Sequence, residues 1–238
     1  MKIALIGYGK MGKAIEAIAL ERGHEIVLKI DLNNQNDLNA ENLKSADVAI
    51  EFTGPESAFE NVMKTLETGT SLVVGSTGWL QHLPEAEAAA KKYNTSLLVA
   101  SNFSVGVNIF FELNKKLAAL MAPHSEYKVS LEEVHHTAKK DAPSGTAITL
   151  AEGVLASYPS KNKWVNEETN NPDELGIVSK RIDPAPGTHI IRYTSEIDDI
   201  EITHTAHNRK GFAAGAVLAA EFIAGKKGIF NMRDVLGL

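Results

Sequence analysis

The sequence predicts an α/β chain: a doubly wound parallel sheet in its first part, then a second α+β domain with an open mixed sheet. Three observations carry this. Up to about residue 104, short apolar runs without alternation are interleaved with amphipathic stretches. After Ser104 that interleaving stops, and strand signals cluster together. Near the end, a stretch that is apolar on most faces follows the last of them. Non-alternating runs are the pattern of strands buried on both faces, and strands that take turns with helices form parallel sheets.

Taken in order, the first strands are expected in KIALIG (2–7), EIVLKID (25–31), ADVAIEFTG (46–54), SLVVGSTG (71–78) and SLLVASNF (96–103). Helices are expected over Lys10 to Arg22, Pro55 to Glu67 and Leu83 to Tyr93. A helix from 107 to 122 then leads into EYKVSLEEV (126–134), and another runs from about Ser144 to Tyr158. The polar segment 160–176, with its Asn, Pro and Gly, reads as a long surface loop. IVSKRID (177–183), HIIRYTSEI (189–197) and IEITHTAHN (200–208) read as strands, the last two joined by a short acidic turn. So few helices leave this sheet open and in need of a covering partner. The helix AAGAVLAAEFIAG (213–225) is apolar enough to be buried.

Composition narrows the function classes. With 238 residues, 44% of them hydrophobic, the chain can bury one large core or two small ones. A formal charge of -6 argues against broad nucleic-acid binding, which calls for a basic surface. The absence of cysteine excludes disulfides, thiolate nucleophiles and cysteine-ligated zinc. The first apolar run is interrupted by glycine far short of a membrane span, and no cleavage site follows it, so a cytoplasmic protein without a membrane partner is expected.

The first candidate site is GYGKMG. Gly7, Gly9 and Gly12, with Lys10 and Met11 between them, stand in G-x-G-x-x-G spacing after a strand and at the opening of a helix. Such glycines let the backbone turn tightly and approach a pyrophosphate whose charge rests on the helix N-terminus. Asp31 follows Gly12 by 19 residues and closes the second strand, where its carboxylate can accept ribose hydroxyls. Together these predict a Rossmann-type dinucleotide site; the competing reading is a structural turn with an incidental aspartate. Two further loops, Gly75, Ser76 and Thr77, and Ala100, Ser101, Asn102 and Phe103, fall at strand C-termini, the edge where such sheets bind ligands. Each alone reads equally as a plain turn.

The second candidate is EVHHTAKKDAPSGTA (133–147). A strand delivers His135 and His136 at its end, Lys139 and Lys140 follow, Pro143 suits a helix entry and Ser144 can cap the helix. The amides of Gly145 and Thr146 at that helix start make an anion site, and an adjacent cation can act as general acid on a carboxylate-bearing substrate. Other readings remain beside this one. The histidine pair finds no cysteine and no nearby acidic set to complete a metal site, so no metal is expected. Ser144 lacks the strand-turn-helix elbow of a hydrolase nucleophile. The histidines and lysines are also compatible with plain structural and solvated roles.

HHTAKKDAPSGTA resembles the signature of the dihydrodipicolinate (4-hydroxy-tetrahydrodipicolinate) reductase family. GSTGW, NFSVGVN, HTAHNRKGFAAGA and the final MRDVLGL are similar to further motifs of that family, in family order over nearly the whole chain. The glycine loop is one residue shorter than in some members, Lys10 stands where arginine is common, and 160–186 is poorly matched. The resemblance implies a nucleotide-binding domain at 1–104, completed by 213–238, and a substrate-binding and oligomerisation domain at 105–212. It implies reduction of 4-hydroxy-tetrahydrodipicolinate to tetrahydrodipicolinate with NADH or NADPH, on the diaminopimelate route to lysine, by a homotetramer. It makes His135 and Lys139 the catalytic pair and places His136, Gly145 and Thr146, with the capping Ser144, on the substrate's carboxylates. Arg209 is a further carboxylate candidate or, equally, a hinge salt bridge. An aspartate dehydrogenase-like reductase and a dinucleotide-binding redox sensor are the alternatives; a sensor would have no use for the basic motif.

Overall fold

In a computed structural model, which describes residues 1–208 and 210–238, the chain divides into two compact units, 1–105 with 210–238, and 106–209. In the first, strands β1 (Lys2–Ile6), β2 (Glu25–Ile30), β3 (Val48–Glu51), β4 (Ser71–Val74) and β5 (Ser96–Val99) alternate with helices α1 (Lys10–Glu21), α2 (Ala40–Leu43), α3 (Pro55–Glu67) and α4 (Leu83–Lys92). After the helix α5 (Val105–Met121), the second unit has β6 (Lys128–His135), α6 (Gly145–Leu155), β7 (Lys163–Val165), β8 (Glu174–Arg181), β9 (Thr188–Thr194) and β10 (Asp199–Thr205). The chain returns to the first unit with α7 (Lys210–Ile223), β11 (Gly228–Phe230) and α8 (Met232–Leu236).

The first sheet has the order β11-β5-β4-β3-β1-β2, and every pair in it is parallel. Its central strands β1, β3, β4 and β5 are buried on both faces, which is why their sequences do not alternate. On one face Ile3, Leu5, Ile50 and Val73 pack with Ile15 and Ala19 of α1 and with Ala216, Val217 and Ile223 of α7. On the other, Ile6, Leu72 and Val74 pack with Val62 and Leu66 of α3 and with Ala86 and Ala90 of α4. Burying that much apolar area at about 25 cal/mol per Å² is the main driving force for the layer order. This is the doubly wound, Rossmann-type sheet expected from the sequence.

The second sheet, β10-β9-β6-β8-β7, is mixed: β6 runs parallel to β8 and antiparallel to β9. Along β6 the side chains of Val129, Leu131, Glu133 and His135 alternate inward, as a strand with one covered face requires. Phe110 and Ala118 of α5 and Leu150, Ala151 and Val154 of α6 cover that face.

Some elements differ from the sequence reading. The expected loop 160–176 contains β7, whose Trp164 and Val165 extend the sheet edge beside β8, and β8 itself starts at Glu174. The final helix begins at Lys210 rather than 213. β11 and α8 carry no period long enough to be read, because they span three and five residues. Among the described residues, no helix is long and apolar enough to cross a membrane.

Candidate active site

The nucleotide-loop residues of the first unit lie at the C-terminal edge of its sheet. Gly7 follows β1, Gly9 caps α1, and Lys10, Met11 and Gly12 form its first turn. The three glycines answer different constraints. At Gly7, with φ +96°, a Cβ would lie 2.1 Å from the carbonyl oxygen of Phe52. At Gly12 it would lie 2.2 Å from the carbonyl oxygen of Gly7. At Gly9 it would meet nothing within 4 Å. The fold therefore requires the outer two, whereas the space over Gly9 is an open cradle at a helix N-terminus, which fits a dinucleotide pyrophosphate.

Asp31 sits exposed just past β2, its Oδ1 accepting from the amide of Leu32 at 2.9 Å. Gly75, Ser76 and Thr77 follow β4, and Ala100, Ser101, Asn102 and Phe103 follow β5. Asn102 is buried, its Oδ1 accepting from the amide of Ser104 at 2.9 Å, and Ser76 and Phe103 also face inward. The hydroxyl of Ser76 donates to Glu51 at 3.0 Å and accepts from the amide of Thr53 at 2.8 Å. Phe103 is buried in the core, where a Cβ on Gly215 of α7 would lie 1.7 Å from its carbonyl oxygen. The carbonyl of Ser76 in turn accepts from the indole of Trp79 at 2.9 Å. The sequence reading missed Glu51, which is fully buried at the end of β3; burial raises its carboxyl above the usual range, against the bonds from Thr53 and Ser76.

In the second unit the basic motif begins at a buried carboxylate, Glu133. Glu133 is 0% exposed, and strand register places His189 of β9 and Ser179 of β8 directly opposite it. Its Oε1 accepts from the hydroxyl of Ser179 at 2.8 Å and from the guanidinium of Arg181 at 3.1 Å. Both oxygens face the Ser144 amide, at 3.1 and 3.2 Å. Nδ1 of His135 lies 3.3 Å from Oε2, close but without hydrogen-bond alignment, and Nε2 of His189 lies 3.7 Å away. Burial pushes the Glu133 carboxyl upward, yet the contacts from His135, Ser144, Ser179 and Arg181 outweigh it and hold the group well below the usual carboxylate range.

The same hub fixes the helix start. Ser144 caps α6, its hydroxyl accepting from the amide of Ala147 at 3.2 Å, so Gly145 and Thr146 open the helix as expected. Lys139 points its ammonium at Asp141, 2.8 Å away; partial burial opposes it, but this contact helps to hold the Asp141 carboxyl below its ordinary value. Arg181 also donates to the carbonyl of Asp141 at 2.6 Å, so one guanidinium ties this segment to Glu133. The segment after His136 is pinned where Thr137 donates to Asp183 through its hydroxyl at 2.6 Å and its amide at 3.1 Å. Arg209 lies outside the described residues.

Oxygen and nitrogen atoms of Glu133, His135 and His189 lie within 4.8 Å of one another, so an acidic partner for a metal-binding histidine pair does exist, contrary to the sequence reading. Arg181 already compensates Glu133, however, and a cation there would have to compete with the guanidinium. Ser144, His189 and Glu133 also superficially form a hydrolase triad, with Ser144 Oγ 3.2 Å from His189 Nε2. In a working triad the acid binds the other ring nitrogen. Here Glu133 approaches the same Nε2, and Nδ1 of His189 is buried without a partner among the described residues.

The comparisons with known proteins agree along the chain. Residues 1–103 match the family described as dihydrodipicolinate reductase, N-terminus, and residues 106–236 match its C-terminus. A 4-hydroxy-tetrahydrodipicolinate reductase of Christiangramia forsetii is 48% identical over 237 residues, 99% of this chain and 98% of that protein. One from Methanoculleus marisnigri is 40% identical over 83% of this chain and 78% of its own. Among solved structures, a dipicolinate-bound dihydrodipicolinate reductase from Paenisporosarcina sp. TG-14 superposes with a TM-score of 0.76 at 25% identity, covering 97% of both chains. With both halves matched and near-complete coverage at this identity, the chain belongs to the dihydrodipicolinate reductase family.

Proposed function

We propose that this chain catalyses the NAD(P)H-dependent reduction of 4-hydroxy-tetrahydrodipicolinate to tetrahydrodipicolinate, in lysine biosynthesis through diaminopimelate. The observation that carries the reading is the 48% identity over 99% of the chain with a reductase of that name. The geometry supports it: an open glycine cradle at one sheet edge and a capped helix start beside basic side chains.

When bound, the reduced nicotinamide supplies the hydride that goes to ring carbon C4 of the dehydrated substrate. The chain's residues do the rest. The main chain at Gly9 and the N-terminus of α1 take the pyrophosphate, with Gly7, Lys10, Met11 and Gly12 shaping the loop. Asp31 accepts the ribose hydroxyls, and the main chain of Gly75 to Thr77 and Ala100 to Phe103 lines the edge. His136, Ser144, Gly145 and Thr146 hold the substrate's carboxylates, with Arg209 as a further partner on the chemistry of its guanidinium. Lys139 delivers the proton that quenches the enamine-like density left by reduction, and His135 serves proton exchange beside it. The family resemblance further supports a cytoplasmic homotetramer. The second sheet would bear it on its outer face, where Ser130, Glu132, Ile190 and Arg192 line a cavity of about 640 Å³.

The test generates the unstable precursor in place from aspartate semialdehyde and pyruvate and follows nicotinamide absorbance. Turnover dependent on the precursor is the expected result. An unchanged absorbance with both NADH and NADPH, from a folded protein, overturns the reading.

A further inference from the structure

His135 is the one candidate catalytic group whose surroundings leave its proton position open to a physical argument. The residue is 7% exposed, and its Nδ1 is fully buried without an aligned partner among the described residues. A buried N–H or lone pair left unmatched costs about 1–3 kcal/mol. The neighbour facing Nδ1 is Oε2 of Glu133 at 3.3 Å. Glu133 is an anion, since Arg181, Ser179 and Ser144 all donate to it. Two acceptors face to face would repel, whereas a protonated Nδ1 is attracted to the carboxylate. Only small ring rotation is then needed to align the bond.

The other end of the ring has a different setting. At Gly187, where φ is +155°, a Cβ would come within 3.1 Å of Nε2 of His135. Any side chain at that position would crowd Nε2, so the glycine keeps this end of the ring free of a side chain from that side. His189 packs its ring edge-on against His135, with centroids 5.1 Å apart and planes at 72°, which confines the imidazole laterally. His189 carries no competing charge, because burial first and the neighbouring His135 second push its value down to about 3.

We infer that Glu133 is the positioning residue of this active site: its buried carboxylate selects the Nδ1–H tautomer of His135 and aims the Nε2 lone pair past Gly187 toward substrate. The inference rests on the reaction proposed above. It also gives a reason for the register of β6. Because Glu133 faces the amide of Ser144 as well as His135, one carboxylate sets both the proton-exchanging ring and the start of the helix that takes the substrate's anion. A purely structural role for Glu133, tethering α6 through Ser144, is the competing account.

The two accounts separate in measurement. Nitrogen-15 NMR of the wild-type ring, with His135 assigned by its absence from the His135→Asn spectrum, should show Nδ1 protonated and Nε2 bare near neutral pH. The opposite tautomer, or an even mixture, overturns the inference, and this result needs no Glu133 variant to fold. Glu133→Gln should lower kcat by about 10- to 100-fold, the usual worth of such an orienting partner, while KM for NADH stays within about twofold. Glu133→Asp should recover part of that loss. Equal kcat in wild type and Glu133→Gln, or no difference between Gln and Asp, also overturns it. If the wild-type protein itself shows no precursor-dependent turnover, the proposed reaction fails instead, and the tautomer measurement still stands by itself.

Discussion

At the residue scale, we expect cofactor choice to turn on one carboxylate. Asp31 stands exposed at the end of β2, with Oδ1 held by the Leu32 amide at 2.9 Å. It suits two ribose hydroxyls and opposes the dianionic phosphate that distinguishes NADPH. Lys29, the basic residue next to it along the strand, is 2.5 Å from Glu16 and so is already engaged. We expect kcat/KM to favour NADH by roughly tenfold, or about 1.4 kcal/mol, with salt screening part of the repulsion. Asp31→Ser should narrow or reverse that ratio. Steady-state kinetics with both cofactors decide, and equal use of NADPH by the unaltered chain would place an unforeseen cation at the site. The position of Asp31 just past a strand was legible because its signal is a spacing along the chain, as was the helix start in the basic motif. Glu133, His189 and Arg181 were not, since strand register unites them across dozens of positions. One local clue existed: Glu133 falls on the inward, apolar side of a strand with Val129 and Leu131, and an acid there is rarely without partners.

At the element scale, the turn from β1 into α1 separates the demands of folding from those of binding. Gly12→Ala forces a methyl to within 2.2 Å of the Gly7 carbonyl, a backbone atom that cannot swing away. The overpacking should cost about 1–3 kcal/mol and lower Tm by several degrees. Gly9→Ala meets no protein atom within 4 Å, and its φ of -79° is not in the left-handed region. Its stability cost should be under about 1 kcal/mol, that of a poorer helix cap, yet its methyl fills the cradle. Thermal melts paired with NADH titrations check this: Gly9→Ala should weaken NADH binding by tenfold or more with little loss of Tm. Normal NADH affinity in that variant would move the pyrophosphate away from Gly9. The buried strands and long helices could be read from their apolar periods. β7 and β11 could not, because three-residue strands at sheet edges owe their existence to a neighbour's unpaired backbone rather than to their own side chains.

At the scale of the whole molecule, we expect buried ionisable groups to give the two units opposite responses to acid. His189, 5% exposed in the second unit, has a value pushed down to about 3 by burial and by His135, against the opposing pull of Glu133. In the unfolded chain a histidine titrates near 6.5, so below about that pH the unfolded state binds a proton that the folded state refuses, and stability falls as pH falls. Between pH 7 and pH 5 the loss is about 2 kcal/mol by that linkage. Glu133 has a depressed folded value, so its contribution is complete above the unfolded carboxylate value of about 4.3 and disappears only in stronger acid. Glu51 in the first unit works the other way. Burial raises its folded value above the unfolded one, so between the two values folding takes up a proton, and acidification through that window favours the fold. Hydrogen exchange, corrected for the intrinsic pH dependence of the amides, should therefore show protection in β6, β9 and α6 declining from pH 7 to pH 5 while β3 and β4 hold or gain. His189→Asn keeps a polar partner for Ser144 but cannot titrate, and should flatten the decline in the second unit. A variant whose β6 and β9 amides lose protection as steeply as the wild type would assign the acid response to another group.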